Sequence, residues 1–320
     1  MSSTDPNSSD AYRSGFVALC GRPNVGKSTL LNALIGDRVA LATRFPQTTR
    51  ERMLGIWSGE DFQAVLVDTP GIHRAKSALN KFMVGEAIKG ARDVDLVLML
   101  AEMPNIPDAE AAAQWEPGPG AKAALASLVE TGRPIVLVLT KCDMVKDRDL
   151  VLPIIETWQR HHDFETVVPT SAVKGKGLDV LEREVLARLP AGPAYYDREQ
   201  LSDKDMRWHA SEIVRGTIFA KLRDELPYAC AVVVERYKET EAGDRIHATV
   251  HVDKQSQKGM VIGKKASMIK DISSQARERI GRLTGRPCQL FLDVKVSPGW
   301  TEDPKQLERL GYADHEEDQG

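Results

Sequence analysis

Short apolar runs alternate with segments rich in charge, glycine and proline through the first two-thirds of the chain. Phe16–Cys20, Arg52–Trp57, Phe62–Val67, Val94–Leu100, Pro134–Leu139 and Thr166–Thr170 have the length and β-branched content of strands. Ser58-Gly59-Glu60 joins the second and third as a hairpin turn. Several runs are apolar without a break, as strands covered on both faces of a parallel sheet must be. Helical spacing appears at Leu30, Leu31, Leu34 and Ile35, closed by Gly36, and again over Ala121–Glu130. Met103–Gly120 carries six prolines and glycines around Trp115 and is expected to be an irregular loop. The pattern predicts an α/β domain with a mostly parallel sheet and helices on both faces, over 14–190.

Beyond Leu189-Pro190-Ala191-Gly192-Pro193 the period changes. Residues 191–202 are expected to form a polar linker. From Asp203 to Leu222, Met206, Ile213, Ile218, Phe219 and Leu222 can share one buried helix face. A hairpin follows, Ala231–Tyr237 and Arg245–Val252, with Gly243-Asp244 near its turn. Apolar positions Ile269, Ile272, Ala276, Ile280 and Leu283 predict a helix from about Ala266, and Gln289–Val296 a last strand. A smaller α+β domain over 203–300 is therefore expected, with an acidic tail over 301–320 that frays at its end and a disordered, Ser/Asp/Asn-rich start over 1–13.

At 320 residues there is chain for two cores. A net charge of −3 excludes a global polyanion binder, but 254–300 holds ten basic residues against three acidic, a local excess of +7. Cys20, Cys142, Cys230 and Cys288 are too scattered for a metal site and are expected to be reduced thiols in a cytoplasmic protein. No apolar run reaches membrane-spanning length.

The chemistry concentrates at strand ends. Gly21-Arg22-Pro23-Asn24-Val25-Gly26-Lys27-Ser28 has the G-x-x-x-x-G-K-[ST] spacing between a strand and a helix, and Thr29 follows. Backbone N–H groups and the positive helix end there suit a phosphate. Lys27 would reach the β- and γ-phosphates and the Ser28 hydroxyl would hold Mg²⁺. Asp68-Thr69-Pro70-Gly71 closes another strand, putting a carboxylate where an open sheet faces its ligand and an N–H of Gly71 toward the γ-phosphate. Thr140-Lys141-Cys142-Asp143 and Ser171-Ala172 end two further strands. Asp143 can accept two hydrogen bonds from guanine that adenine cannot offer. Lys141 can cover the base, and the Ala172 N–H can donate to the guanine O6.

These four motifs, in this order, resemble those of translation-factor-type GTPases. Gln47-Thr48-Thr49-Arg50 is similar to the switch segment of the bacterial Era GTPase family. The resemblance implies that Thr49, or else Thr48, closes on Mg²⁺ and the γ-phosphate beside Asp68, with Thr69, Pro70, Gly71 and Ile72 as the second switch. Thr140 departs from the more usual asparagine and is expected to weaken affinity without changing the base. Related GTPases with an asparagine at Asn24 use it to hold K⁺. In the second half, helix, hairpin, basic glycine loop, helix and strand resemble the KH fold, whose G-x-x-G loop clamps RNA backbone. Here that loop is Gly263-Lys264-Lys265-Ala266, with Lys270 after it, and alanine replaces the second glycine. Leu226-Pro227-Tyr228 and Pro298-Gly299-Trp300 add to the likeness. It implies a monomeric GTP/GDP-binding switch that binds small-subunit ribosomal RNA near its 3′ end, assists small-subunit assembly and also contacts the inner membrane peripherally.

Ras-like enzymes orient the attacking water with a glutamine directly after the D-x-x-G glycine. Ile72 stands there and can neither donate nor accept, and His73 is the nearest polar side chain. Slow intrinsic hydrolysis is expected. Two other classes stay open: a small-molecule kinase or ATPase, which would need a substrate pocket and an Arg-rich lid, and a second domain that contacts protein or membrane instead of RNA.

Overall fold

The alternating apolar runs build one six-stranded sheet, and the later ones a sheet of three strands. The computed structural model describes residues 12–36, 50, 52–72, 78–145, 147–222 and 226–312. The chain divides into two compact units. The first gathers 1–40, 52–73 and 87–203, and the second 41–51, 74–86 and 204–320. In chain order the first unit has β1 (Arg13–Gly21), α1 (Lys27–Ile35), β2 (Met53–Ser58) and β3 (Phe62–Asp68). Next comes α2 (Ala78–Arg92), whose first residues belong to the second unit. The first unit continues with β4 (Leu96–Glu102), α3 (Ala109–Gln114), α4 (Pro119–Val129), β5 (Ile135–Thr140), α5 (Val151–Gln159), β6 (Thr166–Pro169) and α6 (Leu178–Leu186).

The large sheet runs β2-β3-β1-β4-β5-β6, with only β2 antiparallel. Val17–Cys20, Leu96–Leu100 and Ile135–Leu139 are almost wholly buried because helices cover both faces. Strand order reverses at β1, between β3 and β4, so the crevice at the carboxyl ends of these strands is the place for a ligand.

Two expectations change here. Met103–Gly120 contains a helix, α3, because Asp108 caps it by accepting from the Ala111 N–H at 2.8 Å, and the Trp115 ring packs tilted against that of Trp158 at 6.2 Å. Residues 191–202 are not a free linker. Buried Gln63 accepts from the N–H groups of Tyr195 (2.7 Å) and Tyr196 (2.9 Å) and donates to the Tyr196 carbonyl, while Ser202 bridges Gly55. A buried amide that satisfies three of its bonds with this segment holds it against the first unit.

The second unit contains α7 (Met206–Lys221), β7 (Ala231–Thr240), β8 (Gly243–Val252), α8 (Gln255–Ile262), α9 (Ser267–Thr284), β9 (Cys288–Val296) and α10 (Pro304–Arg309). Its sheet is β7-β8-β9, antiparallel then parallel. Val214, Ile218, Ile272, Ala276 and Ile280 pack on Ile246, Ala248, Val250 and Leu290, which form the inner face of that sheet. The helix α8 escaped the sequence reading because only Val261 of it is buried. The end of the tail, expected to fray, lies outside the described residues, but its first part is packed. Trp300 is fully buried among Ala231, Leu307, Leu310 and Tyr312 with Leu79 and Met83, so 300–312 contributes to the core. Arg50 belongs to this unit. It is buried, lies 5.5 Å from the Trp300 and Tyr312 ring centroids, and donates to the carbonyls of Cys230 and Tyr228, both at 2.8 Å. The segments 1–11 and 313–320 lie outside the described residues, and the first strand begins at Arg13, within the stretch expected to be disordered.

Candidate functional site

The loop from Gly21 to Ser28 leaves β1 and enters α1. Asn24 (φ 65°) and Gly26 (φ 103°) are left-handed, which turns successive N–H groups to one side as an anion nest. Lys27 is buried and its Nζ is 3.2 Å from the Arg22 carbonyl and 3.4 Å from that of Gly21. Burial lowers its pKa, and the Asp68 charge opposes that shift. A cation held in this way, with backbone acceptors at the edge of reach, gains most from an added phosphate.

Ser28 donates to Asp68 Oδ2 at 2.8 Å, so the residues expected to share a metal are already together. Gly71 sits directly against the phosphate loop. A Cβ on it would lie 2.6 Å from the backbone nitrogen of Pro23, so only glycine allows this approach. The Ile72 N–H donates to the Gly21 carbonyl at 3.0 Å and locks the same contact. Thr69 donates to the Leu19 carbonyl at 2.8 Å. Beneath the loop Cys20 is buried, its thiol pushed up to about 12 by desolvation, and it acts as a small apolar group.

At the other end of the crevice Thr140 donates to the Val25 carbonyl at 2.6 Å, tying β5 to the phosphate loop. Lys141 is left-handed (φ 60°) and forms an ion pair with Glu102 at 2.9 Å. Asp143 follows in a single 3₁₀ turn with its side chain exposed. The Cys142 N–H donates to the Thr170 carbonyl, which sets Lys141–Asp143 beside Ser171-Ala172, and Ser171 N–H is fixed by the Lys176 carbonyl. Glu102 was missed by the sequence reading, although a carboxylate closing an apolar strand is the same signal that marked Asp68. Thr48, Thr49 and His73 lie outside the described residues.

In the second unit Gly263 (φ 73°) ends α8, Lys264–Ala266 form one 3₁₀ turn and α9 begins at Ser267. Lys264, Lys265 and Lys270 are exposed. A Cβ at Gly263 would lie 2.8 Å from the Met268 nitrogen, whereas Lys265 (φ 52°) and Ala266 (φ 60°) adopt left-handed backbone despite their side chains. That conformation costs roughly 1–2 kcal/mol per residue, and the loop bears it at exposed Lys265 and half-buried Ala266, its last two positions.

Comparison with known proteins agrees with both units. Residues 16–141 match the family model described as "50S ribosome-binding GTPase", and 225–301 match the KH domain. The chain is 42% identical to GTPase Era of Geobacter metallireducens over 95% of this chain and 99% of that one. It is 40% identical to that of Bordetella pertussis over 95% and 99%. The chain belongs to the Era family of GTPases. Among solved structures, Era in complex with MgGDPNP and nucleotides 1506–1542 of 16S ribosomal RNA superposes with a TM-score of 0.88 at 32% identity, covering 94% of this chain and 99% of that one. An Aquifex aeolicus Era variant bound to GDP and AlF₄⁻ superposes at 0.87, with 32% identity and the same coverage. As an Era-type GTPase the chain hydrolyses GTP and carries a KH domain behind its GTPase domain. Among the described residues no helix is long and apolar enough to cross a membrane.

Proposed function

We propose that the chain binds GTP at the strand ends of its first unit, hydrolyses it slowly, and uses the nucleotide to time the grip of its KH unit on small-subunit ribosomal RNA near the 3′ end during assembly. The observation that carries this reading is the convergence of the phosphate loop, Ser28–Asp68, Gly71 and the Thr140–Asp143 turn on one edge of one sheet. The phosphate site comprises Gly21–Thr29 and Gly71, and Thr140, Lys141, Asp143, Ser171 and Ala172 form the base site. The RNA clamp is Gly263, Lys264, Lys265, Ala266 and Lys270. A relative holds MgGDPNP and a 16S RNA fragment together, which supports a role that joins the two sites.

A hydroxyl and a carboxylate 2.8 Å apart in a buried pocket are hard oxygen donors of the kind Mg²⁺ takes, so Ser28 and Asp68, with Thr49, would hold it. Bound there, it would supply positive charge at the β- and γ-phosphates. Lys27 contributes charge at the same oxygens, and the Gly71 N–H points where the γ-phosphate gains charge. Ile72 is buried and apolar, so the residue directly after Gly71 cannot prepare the attacking water, and turnover rises when a partner orders the site. Equilibrium binding with Mg²⁺ tests the reading: GTP should bind at least a hundredfold more tightly than ATP. Equal affinity for the two would overturn the guanine assignment.

Asn24, left-handed at the mouth of the loop, is the residue that would present a carbonyl to K⁺. Exchanging K⁺ for Na⁺ at constant ionic strength should slow hydrolysis several-fold, and an unchanged rate would remove K⁺ from the account. A cytoplasmic monomer with a peripheral inner-membrane fraction completes the reading.

A further inference from the structure

The three-stranded sheet of the second unit has two faces, and its helices cover one of them. On the other, the end of the sheet carrying Ala231 and Val233 is closed by the Trp300 cluster. The opposite end is open and unusually composed. The β8–β9 register pairs His247 with Phe291, and their rings stack at 4.6 Å with 14° between planes. Phe291 is 42% exposed, far more than its sheet neighbours of the inner face. Arg245 lies 5.2 Å from the Phe291 ring centroid.

The β7–β8 register adds Arg236 opposite His247 and Lys238 opposite Arg245. A bulge between Val234 and Arg236 produces this arrangement, since it brings Arg236 and Lys238 to the outer face and turns Tyr237 to the core. Neighbouring carboxylates are engaged elsewhere. Glu239 meets Arg286 at 3.3 Å, Glu235 accepts from Thr249, and Asp244 accepts from Tyr237. Asp293 stands one row further along, opposite Thr249. The open end is thus three cations around an exposed aromatic stack.

We infer that this outer sheet face is a second RNA subsite, on which a base of single-stranded RNA stacks against Phe291 while Arg236, Lys238 and Arg245 meet the adjoining phosphates. Stacking platforms ringed by cations are how proteins hold single strands without reading sequence. The subsite rests on the RNA-binding reading of the KH unit and extends it. A G-x-x-G loop clamps about four nucleotides, whereas the relative described above holds an RNA of 37, nucleotides 1506–1542. A longer RNA needs more surface than the loop provides, and β9 is the sheet edge around which it would pass.

The test uses the full chain and two RNAs, that 37-nucleotide fragment and an unstructured hexanucleotide taken from its sequence, with binding followed by fluorescence anisotropy. Phe291→Ala should weaken the long RNA about tenfold and leave the hexanucleotide unchanged, and Phe291→Trp should restore the long RNA. Arg245→Ala, an exposed change that leaves the sheet intact, should lower affinity for the long RNA and reduce its salt slope by about one. Lys264→Ala, in the loop, should weaken both RNAs. Unchanged binding of the long RNA by Phe291→Ala and Arg245→Ala would overturn the second subsite, as would equal losses on both RNAs. Failure of the wild-type chain to bind either RNA would overturn the RNA reading itself.

Discussion

Thr140 shows what a single hydroxyl does in this site. It stands where many GTPases carry asparagine, and its Oγ1 donates to the Val25 carbonyl at 2.6 Å from a residue only 5% exposed. The bond links the strand that carries the base motif to the loop that carries the phosphates. Thr140→Val keeps the shape and removes the donor, leaving a buried carbonyl unsatisfied at a cost of about 1–3 kcal/mol. GTP affinity should therefore fall roughly 5- to 100-fold, read by calorimetry, with Thr140→Ser retaining most of it. Unaltered affinity in the valine variant would mean that the bond has no part in shaping the loop. The lysines beside it differ in kind: Lys27 is buried and has its pKa lowered by desolvation, whereas Lys141 is half-exposed and paired with Glu102.

At the scale of elements, the segment 300–312 changes the picture most. Trp300 is fully buried, its indole N–H donates to the Ala229 carbonyl at 3.0 Å, and its ring and that of Tyr312 flank Arg50. Removing such a side chain from a core costs about 3–5 kcal/mol. Trp300→Ala should lower the melting temperature of the chain by many degrees, and a shift within a degree or two would refute a structural role for the tail. The sequence concealed this because the segment is short and rich in charge, and its few apolar residues have no partner nearby in the chain. Arg50 was equally hidden, since an arginine next to a switch threonine carries no sign that it will be buried by carbonyls 178 and 180 residues away. The phosphate loop, Asp68–Gly71 and the Thr140–Asp143 turn were legible because each is local, with charge directly after an apolar strand. Strand assignments held within three residues for the same reason. The helix α3 and the packing of 191–202 depend on Asp108 and Gln63, single polar residues whose partners only the folded chain defines.

For the whole molecule, we propose that one sheet edge of the first unit accepts guanine and phosphates and that the basic loop of the second unit grips RNA. Asp143 is the residue at which this claim is most exposed to test, because the 3₁₀ turn after β5 leaves its carboxylate free in solvent, beside Ser171 and Ala172. Its exposure also makes substitution harmless to the core. The most direct measurement is the nucleotide preference of Asp143→Asn against that of the wild type, by equilibrium binding with GTP and xanthosine triphosphate. An amide at 143 donates where xanthine offers a 2-oxo acceptor, so the variant should lose GTP affinity a hundredfold or more and bind xanthosine triphosphate in its place. A variant that still prefers GTP as the wild type does would contradict the assignment of the strand-end site to guanine.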